Sequence, residues 1–324
     1  MLRLGIIGTG TISHEFIKAA QLSGEYEFTA VYSRTLSAAE RFAQAYKNVA
    51  LYTDMIKFLS TDLDVVYIAS PNSLHFNHAK VGILARKHVI VEKPAVSRPE
   101  EWQELVKLAA EHQVYIFEAA RNYHEAAFAV IRNFLKDKKI WGANFTYAKY
   151  SSKMGALLSG QEPNVFSAKF SGGALMDLGV YTLYAAARLF GAPQSVCYTA
   201  QQLPNSVDLN GAGSLIYPDF QVRIQAGKNI NSQLPAEIYT NQGTLTLDGI
   251  EYIRSAIFQK LNGETESLAI RQADHQMLEE AQAFAQVLKG GQEELYSDYL
   301  QAAATVHECM FAMRKDAGIR FEVD

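Results

Sequence analysis

Two segments of the sequence carry side chains that can move a proton to or from a substrate oxygen. Lys93 closes the run HVIVEK (residues 88–93), and Pro94 restricts the backbone directly after it. Asp177 and Tyr181 are four residues apart, a spacing that places both on one face of a helix. A lysine at a strand end can bind a substrate hydroxyl or carbonyl, and a tyrosine can exchange its proton. The simpler alternatives are a surface lysine, an aspartate that complements the helix dipole, and a core tyrosine.

Glycines surround the second segment. Gly172 and Gly173 precede the predicted helix and allow an unusual backbone conformation where it begins. Gly179 lies inside that helix, where glycine costs about 1 kcal/mol relative to alanine. We therefore expect another backbone or a ligand to approach the helix closely at Gly179.

The first 120 residues contain the elements that would position Lys93. Short apolar runs alternate with helical segments, which predicts βαβ units and a parallel sheet covered on both faces. Ligands of such sheets bind at the carboxyl ends of the strands, so Lys93 would face a ligand crevice. The predicted strands are Leu2–Ile7, Phe28–Tyr32, Val65–Ala69, Val89–Val91 and Val114–Phe117, and the predicted helices are Ser37–Tyr46, Leu74–Arg86 and Pro99–His112.

The pattern changes after about residue 120, where short strands with turn signals replace the alternation. We predict an α/β chain of two domains: a doubly wound, dinucleotide-binding Rossmann domain over residues 1–121 and an α+β domain with a mostly antiparallel open sheet over residues 122–324. The main predicted elements of the second domain are helix Tyr123–Lys136, strand Ala143–Tyr150, loop Ser151–Gly173, helix Ala174–Phe190, short strands between residues 194 and 259, and helices Gln272–Lys289 and Ser297–Lys315.

A glycine loop follows the first predicted strand. In GIIGTGTIS (residues 5–13), Gly8 would make the tight turn and Gly10 would let the backbone approach a pyrophosphate at a helix N-terminus. Ser13, a small residue, replaces the third glycine of the dinucleotide fingerprint. Any strand-to-helix turn can use such glycines, but the position at the start of a βαβ unit favours dinucleotide binding.

The residues after the second strand favour NADP over NAD. An acidic residue usually stands there to bind the ribose 2′-hydroxyl of NAD. This chain instead has Ser33, Arg34 and Thr35, whose hydroxyls and guanidinium can hold a 2′-phosphate. The alternative is a solvated turn with an ordinary surface arginine.

The strand that ends at Ala69 is followed by SPNSLH (residues 70–75), again at the ligand-binding edge. His75 and His78 resemble a metal pair, but no carboxylate or cysteine accompanies them, so we expect surface histidines or a cofactor contact and no metal. The candidate cofactor-binding residues are Gly8, Thr9, Gly10, Thr11, Ile12, Ser33, Arg34, Thr35, Ser70, Pro71, Asn72, His75, Glu92 and Lys93.

The ordered set GTGTIS, SPNSLH, EKP and GGALMDLGVY resembles the glucose–fructose oxidoreductase/inositol dehydrogenase (Gfo/Idh/MocA) family over nearly the whole chain. The resemblance places Lys93 beside the nicotinamide and substrate. Tyr181 stands where the family commonly has histidine, which resembles the tyrosine-bearing branch that includes dimeric dihydrodiol dehydrogenase and often uses NADP. The family resemblance also implies that the outer face of the second sheet is the interface of a homodimer or homotetramer. Residues 118–126 resemble the family's interdomain crossover, where Arg121 to His124 either reach substrate or pack between domains.

Composition limits the partners. The 324-residue chain has a formal net charge of −4 and only two cysteines, without metal-ligand spacing. These features predict no nucleic acid or membrane partner and a cytoplasmic protein with reduced thiols. We therefore expect an NAD(P)-dependent oxidoreductase in which Lys93, Asp177 and Tyr181 act on a secondary alcohol or carbonyl of a sugar, polyol or cyclic diol. The alternative is a non-catalytic cofactor-binding sensor of the same fold.

Overall fold

The computed structural model describes all residues from 1 to 324 and contains two compact units. The first comprises Met1–Ala119 and Asp274–Gln301, and the second comprises Ala120–Ala273 and Ala302–Asp324. The chain first passes from one unit to the other between Ala119 and Ala120, close to the predicted boundary at residue 121. The segment Asp274–Gln301 departs from the prediction, which placed all of residues 122–324 in the second domain.

The first unit contains a six-stranded parallel sheet of order β3-β2-β1-β4-β5-β6. This order reverses between β1 and β4, as in a doubly wound sheet, and confirms the predicted fold class. All four residues of β4 are buried, since helices cover both faces. The strands are β1 (Leu2–Ile7), β2 (Tyr26–Tyr32), β3 (Ala50–Tyr52), β4 (Val65–Ile68), β5 (His88–Glu92) and β6 (Ile116–Ala119).

The helices of this unit connect successive strands, and sequence analysis identified most of them. It did not list β3, because three residues are too short to show a strand pattern. The helices are α1 (Thr11–Ser23), α2 (Leu36–Ala43), α3 (Met55–Leu59), α4 (Asn72–Leu84) and α5 (Pro99–His112).

The segment from residue 274 belongs to the first unit because its helix α9 (Leu278–Leu288) buries an apolar face there. Ala281 and Phe284 are fully buried in the same cluster as Phe16 of α1. The Tyr26 hydroxyl donates a 2.8 Å hydrogen bond to the Ala281 carbonyl. Sequence analysis found this helix but had no signal for the sheet on which it packs.

The second unit contains an eight-stranded sheet of order β14-β13-β12-β11-β7-β10-β9-β8. It is antiparallel except where β7 and β10 pair in parallel, which confirms the mostly antiparallel prediction. The strands are β7 (Ile140–Ala148), β8 (Ser195–Gln202), β9 (Asp208–Ile216), β10 (Gln221–Gly227), β11 (Ala236–Thr240), β12 (Gly243–Leu247), β13 (Ala256–Lys260) and β14 (Thr265–Ser267).

The helical segment that carries Asp177 and Tyr181 packs on the middle of this sheet. It consists of a π-helical turn, Leu175–Gly179, followed by α8 (Val180–Phe190). Ala174 and Leu178 are buried against Ala226 of β10. The other helices are α6 (Ala126–Leu135), α7 (Met154–Leu158) and α10 (Glu293–Asp316). The part of α10 from Ala302 onward belongs to the second unit. No helix is both long and apolar enough to cross a membrane.

Candidate active site

The glycine loop between β1 and α1 has the geometry of a pyrophosphate cradle. Gly8 has φ +111°, a left-handed conformation that favours glycine, and a Cβ there would lie 2.4 Å from the Ala69 carbonyl oxygen. Gly10 faces open space and is the N-cap residue of α1, whose first turn contains no acidic residue and no side-chain cap. The Ser13 amide donates a 3.1 Å hydrogen bond to the Gly10 carbonyl, and the two amides before it in that turn suit an anion. Ser13 is buried and donates a 3.0 Å hydrogen bond to the Gly8 carbonyl, which fixes the loop.

The loops after β1 and β4 lie side by side, where the strand order reverses. The Ala69 amide donates a 2.8 Å hydrogen bond to the Ile7 carbonyl at the end of β1. Ser70 and Pro71 follow, and Asn72 begins α4. Ligands of doubly wound sheets bind at this position. Gly8, Gly10 and the loop after Ala69 thus occupy the place expected for a dinucleotide.

The end of β2 presents a basic and hydroxyl-bearing surface. Arg34 and Thr35 are exposed, and Arg34 makes no ion pair. The Ser33 amide donates a 3.0 Å hydrogen bond to the Tyr52 carbonyl, which holds the turn in place. Since no carboxylate stands at this turn, the described residues fit a phosphate group on the ribose.

Lys93 is half-buried in the turn after β5, and buried polar groups hold this turn. The Glu92 carboxylate accepts a hydrogen bond from the Tyr67 hydroxyl and another, of 3.2 Å, from the Lys93 amide. Beyond a cis Lys93–Pro94 peptide bond, the Ala95 amide donates to Glu118 at 3.2 Å. The buried carboxylate of Glu92 thus holds the backbone that presents the Lys93 side chain, a role that sequence analysis did not distinguish from a cofactor contact.

His75 connects the β4 and β5 loops. Its Nδ1 lies 2.9 Å from the Pro94 carbonyl oxygen and its Nε2 lies 2.7 Å from the Ser70 carbonyl oxygen. Burial lowers the pKa of His75, although the two carbonyl oxygens favour its charged form. His78 bonds the Ser70 hydroxyl at 2.9 Å, and burial together with His75 and Arg34 lowers its pKa to about 4. His75 therefore holds the backbone of the two loops, and His78 holds the side chain of Ser70, one of the predicted cofactor contacts.

In the second unit, Gly172 and Gly173 start the Asp177 segment in a conformation that other residues resist. Gly173 has φ +123°, and a Cβ there would lie 2.1 Å from Oδ1 of Asp208. A Cβ on Gly172 would meet the Val165 backbone at 2.7 Å. The buried Asp208 carboxylate accepts the Leu175 amide at 2.8 Å and the Tyr198 hydroxyl at 2.9 Å. Burial raises the pKa of Asp208.

Gly179 permits close packing on the sheet. The free-energy cost of glycine inside a helix had indicated such a close approach. A Cβ there would lie 3.4 Å from Cβ of Ala226 and 2.9 Å from the Leu175 side chain. The nearest group is therefore the Leu175 side chain of the same turn, and the neighbour on the sheet is Ala226 of β10. The Val180 amide donates to the Leu175 carbonyl five residues earlier, which makes the turn π-helical. Such turns are frequent at functional sites.

Asp177 pairs with Lys228, the residue that directly follows β10. The Lys228 ammonium donates to Oδ2 of Asp177. The lysine side chain is 5% exposed and the aspartate side chain is 34% exposed, so the carboxylate is the accessible partner.

Tyr181 lies in α8 between an arginine and another aromatic ring. The Arg121 guanidinium carbon lies 5.1 Å from the centre of the Tyr181 ring, and the Tyr147 ring meets it edge-on at 5.3 Å. The Asn122 side chain donates a 3.0 Å hydrogen bond to the Tyr181 carbonyl. The second unit thus contains Asp177 and Tyr181 on one helical segment, as predicted, whereas Lys93 and the cofactor candidates belong to the first unit.

Sequence analysis missed Lys228 and Asp208 and left Arg121 undecided. Lys228 follows the apolar strand QVRIQAG, and a lysine after a strand is too common to single out. Asp208 is likewise an ordinary aspartate within the range of predicted short strands. The available signal was the glycine pair 172–173, which indicated an unusual backbone conformation but not the carboxylate beside it.

A doubly wound sheet with a glycine loop at its switch point is typical of a dinucleotide-binding domain, and a second domain with its own sheet accompanies it in this chain. The family model described as an oxidoreductase family with an NAD-binding Rossmann fold matches residues 2–120, and the model of the GFO/IDH/MocA C-terminal domain matches residues 139–246. The chain belongs to the Gfo/Idh/MocA family, which confirms the resemblance inferred from its motifs. It is an enzyme of the oxidoreductase class.

Its relatives are dehydrogenases and reductases. The chain is 35% identical to the uncharacterized oxidoreductase YgjR of Escherichia coli and 32% identical to the scyllo-inositol 2-dehydrogenase (NADP(+)) IolU of Bacillus subtilis, in both cases covering 100% of this chain and 99% of the relative. It is 26% identical to mouse trans-1,2-dihydrobenzene-1,2-diol dehydrogenase with the same coverage. A crystal structure of KijD10, a 3-ketoreductase from Actinomadura kijaniata, has the same fold, with a TM-score of 0.83, 20% identity and 98% coverage of both chains.

Proposed function

We propose that the protein is an NADP-dependent dehydrogenase that interconverts a secondary alcohol and its carbonyl in a sugar, polyol or cyclic diol. The observation that supports this most directly is the anchoring of Asp177 and Tyr181 on one helical segment by Lys228 and Arg121. A carboxylate and a phenol fixed in this way supply a hydroxyl acceptor and a proton-exchanging group.

The cofactor would be held by the first unit. The amides of the glycine loop would bind the pyrophosphate, and Ser33, Arg34 and Thr35 would bind the 2′-phosphate. This preference is supported by the relative IolU, which matches the full chain and is named as an NADP(+)-dependent enzyme. When bound, the nicotinamide accepts or supplies the hydride that leaves or enters the substrate carbon.

The proton would be handled by Tyr181 and Lys93. In reduction, the Tyr181 hydroxyl donates its proton to the carbonyl oxygen and becomes a phenolate; in oxidation, the Tyr181 phenolate accepts the hydroxyl proton of the substrate. The Lys93 ammonium binds the same oxygen and stabilises the negative charge that develops on it. Asp177 accepts a hydrogen bond from a neighbouring hydroxyl of the substrate.

This arrangement also supports the proposed substrate class. An anionic acceptor beside a proton-exchanging phenol suits a molecule with adjacent hydroxyls, and the relatives named for scyllo-inositol and a dihydrobenzene diol act on such molecules. From the family resemblance, we also propose a cytoplasmic homodimer or homotetramer that uses the outer face of the second sheet.

Activity assays test this proposal. Wild-type enzyme is incubated with NADP⁺ and a panel of cyclic polyols, sugars and diols, and with NADPH and the matching ketones. We expect turnover with at least one pair, and Tyr181→Phe and Lys93→Met should each lower kcat by about a hundredfold or more, since each removes a group that acts on the reacting oxygen. Binding of NADPH to Tyr181→Phe should be unchanged.

Tyr184→Phe, the same chemical change one turn later in α8, is the matched control and should keep wild-type kcat. If NADPH binds tightly but no substrate is turned over, the protein is a cofactor-binding sensor. If both Tyr181→Phe and Lys93→Met keep near-normal kcat, the assigned proton chemistry is wrong.

A further inference from the structure

The lysine that follows β10 is unusual for its burial. Lys228 is 4% exposed overall, and its ammonium has one hydrogen-bonding partner, the Asp177 carboxylate. The Phe166 ring is the other group near it, with its centre 5.8 Å from Nζ. Because burying a cation is costly unless it is paired, the position of Lys228 depends on Asp177.

The backbone holds Lys228 on both sides. Its amide donates a 2.7 Å hydrogen bond to the Leu209 carbonyl of β9, and its carbonyl accepts the Ser151 amide at 2.8 Å. Two residues earlier, Ala226 packs against Gly179 of the π-helical turn. The close approach at Gly179 brings the end of β10 near enough for Lys228 to reach Asp177, two residues before that glycine.

Stability alone does not account for this pair. Apolar side chains of similar volume are often as stabilising as a buried ion pair, or more so. The rest of the segment is already anchored, because Asp208 binds the Leu175 amide and Ala174 and Leu178 pack on the sheet. The exposure is also unequal: the cation is hidden and the carboxylate faces outward. That asymmetry fits an anion that is held for a ligand.

We propose that Lys228 is a positioning residue that fixes the Asp177 carboxylate in one orientation, so that the carboxylate accepts a hydrogen bond from a substrate hydroxyl next to the reacting carbon. This inference rests on the proposed function. Lys228 donates to Oδ2 of the carboxylate and thereby fixes its orientation. The pair thereby selects vicinal hydroxyls over deoxy analogues.

Kinetics of Lys228 variants test the inference on the full-length enzyme. The substrate is the best cyclic polyol of the panel, compared with its analogue that lacks one hydroxyl next to the reacting carbon. We expect Lys228→Met to raise KM for the polyol by about tenfold to a hundredfold, the effect of one charged hydrogen bond, with kcat changed by less than about threefold. The preference for the polyol over the deoxy analogue should fall by the same factor, and Lys228→Arg should restore most of it.

The double variant Asp177→Asn/Lys228→Met separates this role from an effect on folding. It removes both charges, so no unpaired ion is buried even if Lys228→Met alone is unstable. Since Lys228 acts through Asp177, the double variant should have the same KM and the same polyol preference as Asp177→Asn alone. Lys149→Met, an exposed lysine whose amide binds the neighbouring Gly227 carbonyl, is the control and should match wild type.

The outcomes are distinct. If wild type turns over no member of the panel, the proposed function fails. If wild type is active but Lys228→Met keeps both KM and the polyol preference, the positioning role is refuted. It is also refuted if adding Lys228→Met to Asp177→Asn raises KM further, because Lys228 would then act independently of Asp177.

Discussion

Replacing Arg34 with alanine should change cofactor selectivity without damaging the fold. Arg34 is exposed at the end of β2 and makes no ion pair, so its removal breaks no salt bridge. A charged hydrogen bond to a phosphate contributes about 1.5–3 kcal/mol, and the exposed position places Arg34 at the lower end of that range. We therefore expect Arg34→Ala to weaken NADPH binding about tenfold and to leave NADH binding unchanged.

Fluorescence titration with NADPH and with NADH measures both affinities. Because ion pairs at the surface are screened by salt, raising the ionic strength should weaken NADPH binding more than NADH binding, and this difference should shrink in Arg34→Ala. Arg41→Ala, which removes another exposed arginine from α2, should bind both cofactors as wild type does. The reasoning is refuted if Arg34→Ala binds NADPH normally, or if the affinity for NADH falls by the same factor.

Two further predictions concern the second unit. Gly173→Ala should destabilise the protein by about 3 kcal/mol or prevent folding, because it combines strain at φ +123° with a clash against Asp208. The control Gly24→Ala, at φ +70° and ψ +8° in open space, should cost only about 1 kcal/mol, and equal melting temperatures for the two variants would contradict this. Burial and Arg188 lower the pKa of His124 to about 3. The unfolded chain therefore binds a proton below about pH 6.5, and stability falls as the pH drops from there toward 3. Between pH 7.5 and pH 5, His124→Phe should lose about 2 kcal/mol less of its free energy of unfolding than wild type does, as measured by thermal unfolding at both pH values. The control His112→Gln should lose as much as wild type. An equally large loss in His124→Phe would show that His124 does not cause the acid destabilisation.

Much of the first unit could be predicted from the sequence because its information is local. Each strand is a continuous apolar run and each connection is a helix with its own period, so the βαβ order follows without long-range knowledge. The loop that contains Gly8 and Gly10 was identifiable because its function depends on backbone conformation, which glycine marks directly. Strand β3 was not listed because Ala50–Tyr52 is too short for a period.

The parts that sequence could not predict depend on contacts between distant residues. Asp177 and Lys228 are 51 residues apart, and Asp208 is 33 residues from the amide it binds, so neither pairing leaves a local pattern. The packing of Ala281 and Phe284 in the first unit is another such case, since the amphipathic pattern of α9 indicates a buried face but not the surface that covers it. Gly179 shows the intermediate case: its cost predicted a close approach, and only the structure identified Ala226 as the neighbour.

The transfer of deuterium from substrate carbon to cofactor tests the central claim most directly. The enzyme is incubated with NADP⁺ and the best polyol of the panel labelled with deuterium at the carbon that bears the reacting hydroxyl, and the recovered NADPH is analysed by mass spectrometry. We expect wild type to form NADPH that contains one deuterium, and Tyr181→Phe to form much less of it. NADPH without deuterium, or tight binding of NADP⁺ with no reduction for any polyol, sugar or diol, would contradict it.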